Sequence, residues 1–202
     1  AGERVQVTGD PGAGRTLFFR AVAGLWPWGT GRIGLPGGEM PVLVPRTPYF
    51  SPGTLREVFD QMAGNDGLDD AEIRDALDEV GLGRLSAALD RQARWEHELN
   101  DDEQRLLMLA ATALGRPKWI VIDDALDTLD TDTLKRVLAL FRKHLDGAAI
   151  LNIGRVLPEN GFFGRTLTIV KDKAAPALQP ARVRPGAIEA PASSGRRVAK
   201  AG

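Results

Sequence analysis

The feature that most narrows the possible folds lies near the start of the chain. Val5 and Val7 mark a short strand that runs into Gly9-Asp10-Pro11-Gly12-Ala13-Gly14-Arg15-Thr16, and Leu17 to Leu25 has helical character. Strand, glycine-rich loop, helix is the order that a phosphate-binding loop requires. Glycines let backbone N–H groups turn inward around an anion, and the helix N-terminus adds its positive end. The loop fits G-x-x-x-x-G-K-[ST] at every position except the lysine, where Arg15 stands. Gly9, Asp10, Pro11, Gly12, Ala13, Gly14, Arg15 and Thr16 are therefore candidate nucleotide-binding residues, with the Thr16 hydroxyl a candidate ligand of Mg²⁺. A strand-to-helix turn with no ligand uses the same glycines, so the loop alone leaves both readings open.

A second feature favours the ligand. Trp119-Ile-Val-Ile-Asp123-Asp124 is an apolar strand that delivers two carboxylates at its end. The first, Asp123, can hold Mg²⁺ through water, and the second, Asp124, can orient an attacking water. Taken alone, the pair is equally a surface turn.

Further strands are expected at Val42–Val44, closed by Pro45, at Ala148–Ile153 and at Leu167–Val170. Between the second and third strands the composition turns helical. Thr54-Leu-Arg-Glu57 fits a capping box. Asp70 is expected to cap a helix carrying Ile73, Ala76, Leu77 and Val80 and ended by Gly81. A third helix spans Asp101 to about Leu114, and Thr131 to Leu145 forms an amphipathic one after the Asp pair. Strands alternating with helices, with acid at a strand's C-terminal end, argue for a mainly parallel α/β sheet. The helical block inserted between strands is expected to form a lobe of its own.

The 202 residues suffice for one core or one core plus a small lobe. A net charge of −1 leaves no polybasic footprint for nucleic acid. The chain has no cysteine, and His97 and His144 are far apart, which excludes a thiolate site and argues against a histidine-built metal site. No apolar run approaches the roughly 20 residues needed to cross a bilayer. The chain opens directly on a strand without an initiating Met, and is read as a fragment whose natural N-terminal part lies elsewhere. Beyond Lys173 the sequence is rich in Ala, Pro and small polar residues, and is expected to be a disordered tail.

The third feature is Leu99-Asn100-Asp101-Asp102-Glu103-Gln104-Arg105, ahead of the Asp pair. From Leu99 through Gly115-Arg-Pro-Lys-Trp-Ile-Val-Ile-Asp-Asp-Ala-Leu-Asp-Thr-Leu-Asp130 the sequence resembles the signature, Walker B and D-loop block of ABC transporter nucleotide-binding domains. It aligns without a gap to LSGGEQQR…RP…hhhhDEATSALD, where h is apolar. Gly24-Leu-Trp-Pro-Trp-Gly-Thr-Gly-Arg-Ile33 and Pro45-Arg-Thr-Pro-Tyr-Phe-Ser-Pro-Gly-Thr-Leu-Arg-Glu57 are similar to the subfamily of peroxisomal long-chain acyl transporters and bacterial relatives that take up peptides or cobalamin. The resemblance covers about residues 1 to 170.

It implies a P-loop NTPase fold: a RecA-like core over 1–53 and 115–173, its N-terminal strands missing, a helical lobe with the signature over 54–114, and a tail over 174–202. It also implies a head-to-tail dimer of two nucleotide-binding domains, with ATP and Mg²⁺ between one copy's phosphate loop and the other's signature. The membrane domain would lie in the missing N-terminal part, placing this domain at the cytoplasmic face of the inner membrane. The family's base-stacking aromatic falls before Ala1, so Trp26, Trp28 and Tyr49 are read as core or lobe-packing residues.

The departures from the family pattern all concern the site. Arg15 replaces the lysine and is too long and planar for the space between β- and γ-phosphate. Arg46 stands at the Q-loop glutamine, Asp124 at the catalytic glutamate, and Arg155 at the switch histidine. Asn100, Asp101 and Asp102 replace Ser-Gly-Gly, ahead of Glu103 and Gln104. A carboxylate about 4 Å from a phosphate costs about 4 kcal/mol at an effective dielectric of about 20. Gly9, Gly12, Gly14, Thr16, Asp123 and the D-loop Asp130 are kept. The expected function is the ATP-binding domain of an ABC-type membrane transporter, with ATP and Mg²⁺ bound weakly or not at all and hydrolysis impaired or absent. The alternative is a non-enzymatic dimerisation or regulatory module of the same descent. Arg15, Arg46 and Arg155 could then meet Asp101 and Asp102 of a second copy.

Overall fold

The computed structural model describes residues 2–10, 12–28, 32–34, 40–65, 67–157 and 161–170. Its strands are β1 (Arg4–Gly9), β2 (Val42–Val44), β3 (Gly53–Thr54), β4 (Gln92–Ala93), β5 (Trp119–Asp123), β6 (Ala149–Ile153) and β7 (Arg165–Ile169). Its helices are α1 (Arg15–Val22), α2 (Leu55–Ala63), α3 (Asp70–Glu79), α4 (Trp95–Glu98), α5 (Asp101–Leu114) and α6 (Thr131–His144), with a 3-10 turn over Gly83–Ala88.

Alternation along β5 explains how the sheet is covered. Ile120 and Ile122 point to one face and join a core with residues of α2, α3, α5 and α6. Val121 points to the other, where it packs with Val5, Val7, Phe19 of α1 and Ile153. A strand apolar on both faces belongs inside a sheet covered on both sides. The five-stranded sheet runs β2-β5-β6-β1-β7, and every pairing within it is parallel. The expected mainly parallel α/β sheet is therefore present, and parallel strands bring the ends of β1, β5 and β6 to one edge.

The helical block is more divided than its composition suggests. It holds α2, α3, the 3-10 turn, α4 and α5, with a short antiparallel β3–β4 pair around them. The Thr54–Glu57 capping box is made in both directions. For α3 the cap is Asp69, whose carboxylate accepts the Ala71 N–H at 3.3 Å, so the expected Asp70 cap is displaced by one residue. Asp70 is engaged instead as an ion-pair partner of Arg56 and Arg74. Helix α1 starts at Arg15, two residues before the expected apolar run, and β7 covers Arg165–Ile169.

The aromatic assignments need correction. Tyr49 is 78% exposed and Trp28 45% exposed, so neither is a packing residue within this chain; Trp26 is half-buried. The buried tryptophan of the helical block is Trp95, which donates to the Gly53 carbonyl at 3.0 Å. Gly115 ends α5 so close to α2 that a Cβ would overlap the Ala63 carbonyl. The expected tail over 174–202 lies outside the described residues.

Candidate functional site

At the edge where β1, β5 and β6 end, the chain turns three times, and each turn carries polar residues into the same space. After β1, the Ala13 N–H donates to the Asp10 carbonyl at 2.9 Å and closes a tight loop. Gly12 at φ 80° and Gly14 at φ 92° have the left-handed backbone that side chains disfavour. Gly14 caps α1, whose first residue is Arg15. Thr16 is exposed in that first turn, and Asp10 is exposed in the loop; Pro11 lies outside the described residues.

After β5, Asp124 adopts φ 52°, also left-handed, and its N–H donates to the Ile153 carbonyl at 2.9 Å. That bond ties the turn after β5 to the end of β6. After β6, the Gly154 N–H donates to the Val7 carbonyl at 2.9 Å, tying the third turn to β1. Together the turns form a cleft of about 500 Å³ lined by Arg15, Arg46, Asp124, Asp127, Asp130 and Arg155, among others.

The structure thus brings together Arg15, Arg46, Asp124, Asp130 and Arg155, all picked out in the sequence. Arg15 Nη1 stands 3.9 Å from Asp124 Oδ1, with both side chains about a quarter exposed. Asp123 ends β5 and is 8% exposed, and its Oδ1 has no hydrogen-bond partner among the described residues. Burial, then the charge of Asp124, pushes its carboxyl above the usual range, while Arg15, Arg20 and Arg46 pull the other way. A buried carboxylate oxygen left without a partner is the kind of group a hydrated cation satisfies. Asp123 therefore fits a Mg²⁺ role, with the Thr16 hydroxyl at the start of α1 as the second candidate ligand. Among the described residues no three His, Cys, Asp or Glu side chains cluster to hold a metal by themselves. A nucleotide's own phosphates would have to complete such a coordination shell.

Asp130 has a structural task as well. Its Oδ1 accepts the N–H groups of Asp132 and Thr133 at 3.0 Å each, capping α6, and these bonds, led by those from Thr133, lower its pKa. The segment 100–104 lies outside the cleft lining. Asn100 caps α5 by accepting from Asp102 and Glu103, and Glu103 reaches back to the Asn100 N–H at 3.1 Å. Glu103 also meets Arg84 at 2.6 Å, Asp102 pairs with Arg105, and buried Gln104 donates to the Glu96 and Leu99 carbonyls. Asp101 is exposed. Asn100 and Glu103 thus make a capping box at the start of α5.

The sequence reading missed Asp127. Its Oδ2 accepts the Arg155 N–H at 2.7 Å, and the Arg155 guanidinium donates to its main-chain carbonyl. Burial first, then the neighbouring Asp124, pushes its carboxyl up to about 6, against the pull of the Arg155 N–H and charge. The signal was available: Asp127 stands where the aligned pattern has serine, so a small polar residue has become an acid. Arg15 and Arg155, candidates to meet acids of a second copy, both find carboxylates in their own chain.

A family model described as ABC transporter matches residues 1–127. The inner membrane ABC transporter ATP-binding protein YddA of Escherichia coli (strain K12) is 30% identical over 152 residues, covering 75% of this chain and 27% of its own. ABC transporter D family member 1 of Arabidopsis thaliana is 28% identical over 159 residues, covering 70% of this chain and 11% of its own. Of these curated relatives, then, the chain spans roughly a quarter or less. A bacterial Atm1-family ABC exporter, solved with ATP bound, superposes with a TM-score of 0.62 at 22% identity, over 75% of this chain and 30% of that one. At that identity the likeness is one of fold, the RecA-like α/β fold of P-loop NTPases.

Proposed function

This chain belongs to the ABC transporter family, as an ATP-binding domain similar to D-subfamily members and their bacterial relatives, and from that premise we propose that its own ATP hydrolysis is impaired or absent. The observation that carries the reading is the pairing of Arg15 with Asp124 in the cleft where β1, β5 and β6 end. In a working site the charge at 15 serves the phosphates and the carboxylate at 124 serves water. Here each lies within reach of the other, and the carboxylate is one methylene short. Catalysis of phosphoryl transfer is almost entirely positioning and charge stabilisation, so the two groups cannot be lost separately from its rate.

Nucleotide binding would use the loop from Gly9 to Thr16, with backbone N–H groups as phosphate donors and Asp123 and Thr16 toward Mg²⁺. The family's partners follow as parts of the same reading. A membrane domain elsewhere in the protein would hold this domain at the cytoplasmic face of the inner membrane, and a second nucleotide-binding domain would meet it head to tail. Residues 54–114 would be the helical lobe that bears the signature segment, between the core parts 1–53 and 115–173.

A second reading, a non-enzymatic dimerisation or regulatory module, is favoured by the acids in the first turn of α5. Two carboxylates, Asp101 and Asp102, stand where bare backbone would approach a phosphate. Calorimetric titration with ATP and ADP, with and without Mg²⁺, separates the readings. Weak binding strengthened by Mg²⁺ supports the first; no binding at millimolar nucleotide leaves the module.

A further inference from the structure

The turns after β5 and β6 are fastened to each other by one residue from each. Asp127 Oδ2 accepts the Arg155 main-chain N–H at 2.7 Å, the Arg155 guanidinium donates to the Asp127 carbonyl, and Arg155 Nε lies 3.7 Å from Asp127 Oδ2. Residue 154 must be glycine for this approach, because a Cβ there would overlap the Asp127 carboxylate. Asp127 is 8% exposed while the arginine lies at the surface, so the guanidinium reaches over a carboxylate largely shut from water. Both turns are themselves anchored, through Asp124 N–H to Ile153 and Gly154 N–H to Val7.

We propose that Asp127 and Arg155 form an internal clamp that fixes the turn after β6 against the turn after β5 with nothing bound in the cleft, and that Asp127 is the positioning residue that sets it. An N–H bond to a carboxylate is charge-assisted and stronger than a neutral one. Arginine adds a planar fork of donors that can reach carboxylate and carbonyl together, which the single ring of a histidine cannot do. The Arg155 main-chain N–H and one guanidinium N–H are thereby engaged within the chain. The charges around the clamp are Asp124 and Asp130 on the same turn, and Arg15 and Arg46 lining the same cleft. The clamp goes beyond the nucleotide reading and does not rest on it.

Amide hydrogen exchange followed by NMR, without nucleotide, tests the clamp. The wild-type Arg155 amide is expected to be protected. In Asp127→Ser it is expected to exchange about 10- to 100-fold faster, with β5 and β6 amides unchanged. Asp127→Asn keeps an acceptor for the N–H and is expected to preserve most of that protection, while the Arg155 amide proton resonance moves upfield of wild type as a charge-assisted bond becomes a neutral one. Adding Mg-ATP is expected to leave wild-type protection unchanged. If Asp127→Ser does not fold, Asp127→Asn decides: an Arg155 amide proton resonance unchanged from wild type overturns the clamp. So does wild-type protection in Asp127→Ser, or protection that appears only with nucleotide. Absence of calorimetric nucleotide binding with protection intact would sink the nucleotide reading and leave the clamp standing.

Discussion

Arg15 and Asp124 face each other across the cleft, the guanidinium of one 3.9 Å from the carboxylate of the other. Both side chains keep about a quarter of their surface in water, so the pair contributes no more than about 1 kcal/mol. Arg15→Ala is accordingly expected to change the unfolding free energy by less than about 1 kcal/mol in urea titration. Arg15→Lys restores the lysine, yet hydrolysis is expected to stay at background. The altered groups at 46, 124 and 155 act with it as a unit, and restoring one member of a unit does not restore the rate.

Asp123 gives a separable test of the metal. With one oxygen unpartnered and its ionised form disfavoured by burial, Asp123→Asn is expected not to destabilise the domain. It should, however, remove any difference between nucleotide affinity with and without Mg²⁺. A calorimetric Mg²⁺ effect that survives the substitution would remove Asp123 from the site.

Asp127 predicts a pH dependence with a definite sign. Its folded pKa is raised to about 6, above an ordinary aspartate, so the native state holds a proton that the unfolded state has released. Between about pH 4 and pH 6 unfolding therefore releases protons, and stability falls as pH rises through that window. The loss is about 1–3 kcal/mol, complete above the folded pKa. Asp127→Asn is expected to flatten that slope and to be the more stable protein at pH 8 by chemical denaturation. It would do so even though the clamp on Arg155 is weakened, which separates positioning from stability.

Gly154 and Asp127 should couple. Gly154→Ala places a methyl group against the Asp127 carboxylate and is expected to cost about 1–3 kcal/mol. In Asp127→Ser the space is larger, and the same alanine is expected to cost distinctly less. A double-mutant cycle reads the difference; additive effects would place the collision elsewhere.

Charge pairing within the chain also bears on association. Arg15 and Arg155 meet Asp124 and Asp127, and Asp102 meets Arg105, which leaves Arg46 and Asp101 without a hydrogen bond or ion pair among the described residues. Few charges remain for a salt-bridged dimer without nucleotide. Ultracentrifugation at low salt is expected to find a monomer. A dimer abolished by Asp101→Arg with Asp102→Arg would contradict this.

Much of the architecture was legible because local and long-range signals agreed. The apolar run Trp119–Ile122 before two acids, the glycines from Gly9 to Gly14 and the Thr54–Glu57 box each mark a strand end, a loop or a helix start by their own chemistry. The β3–β4 pair escaped because two-residue strands carry no period to read. Asp69 and Asp70 are chemically alike as caps, and only the Arg56 and Arg74 partners decide between them. Tyr49 looked like a packing residue because aromatics usually are; nothing local told that its side would be open. Asp127 and the Asn100 cap were hidden for different reasons. Asp127 depends on a contact across 28 residues, whereas the Asn100–Glu103 box is as local as Thr54–Glu57 and lay under a stretch read for ligand chemistry.

The most direct test of the central claim is steady-state ATP hydrolysis with Mg²⁺, measured on this domain. Turnover is expected near background, and the same in Asp123→Ala. Robust Mg²⁺-dependent turnover that disappears in Asp123→Ala would contradict it.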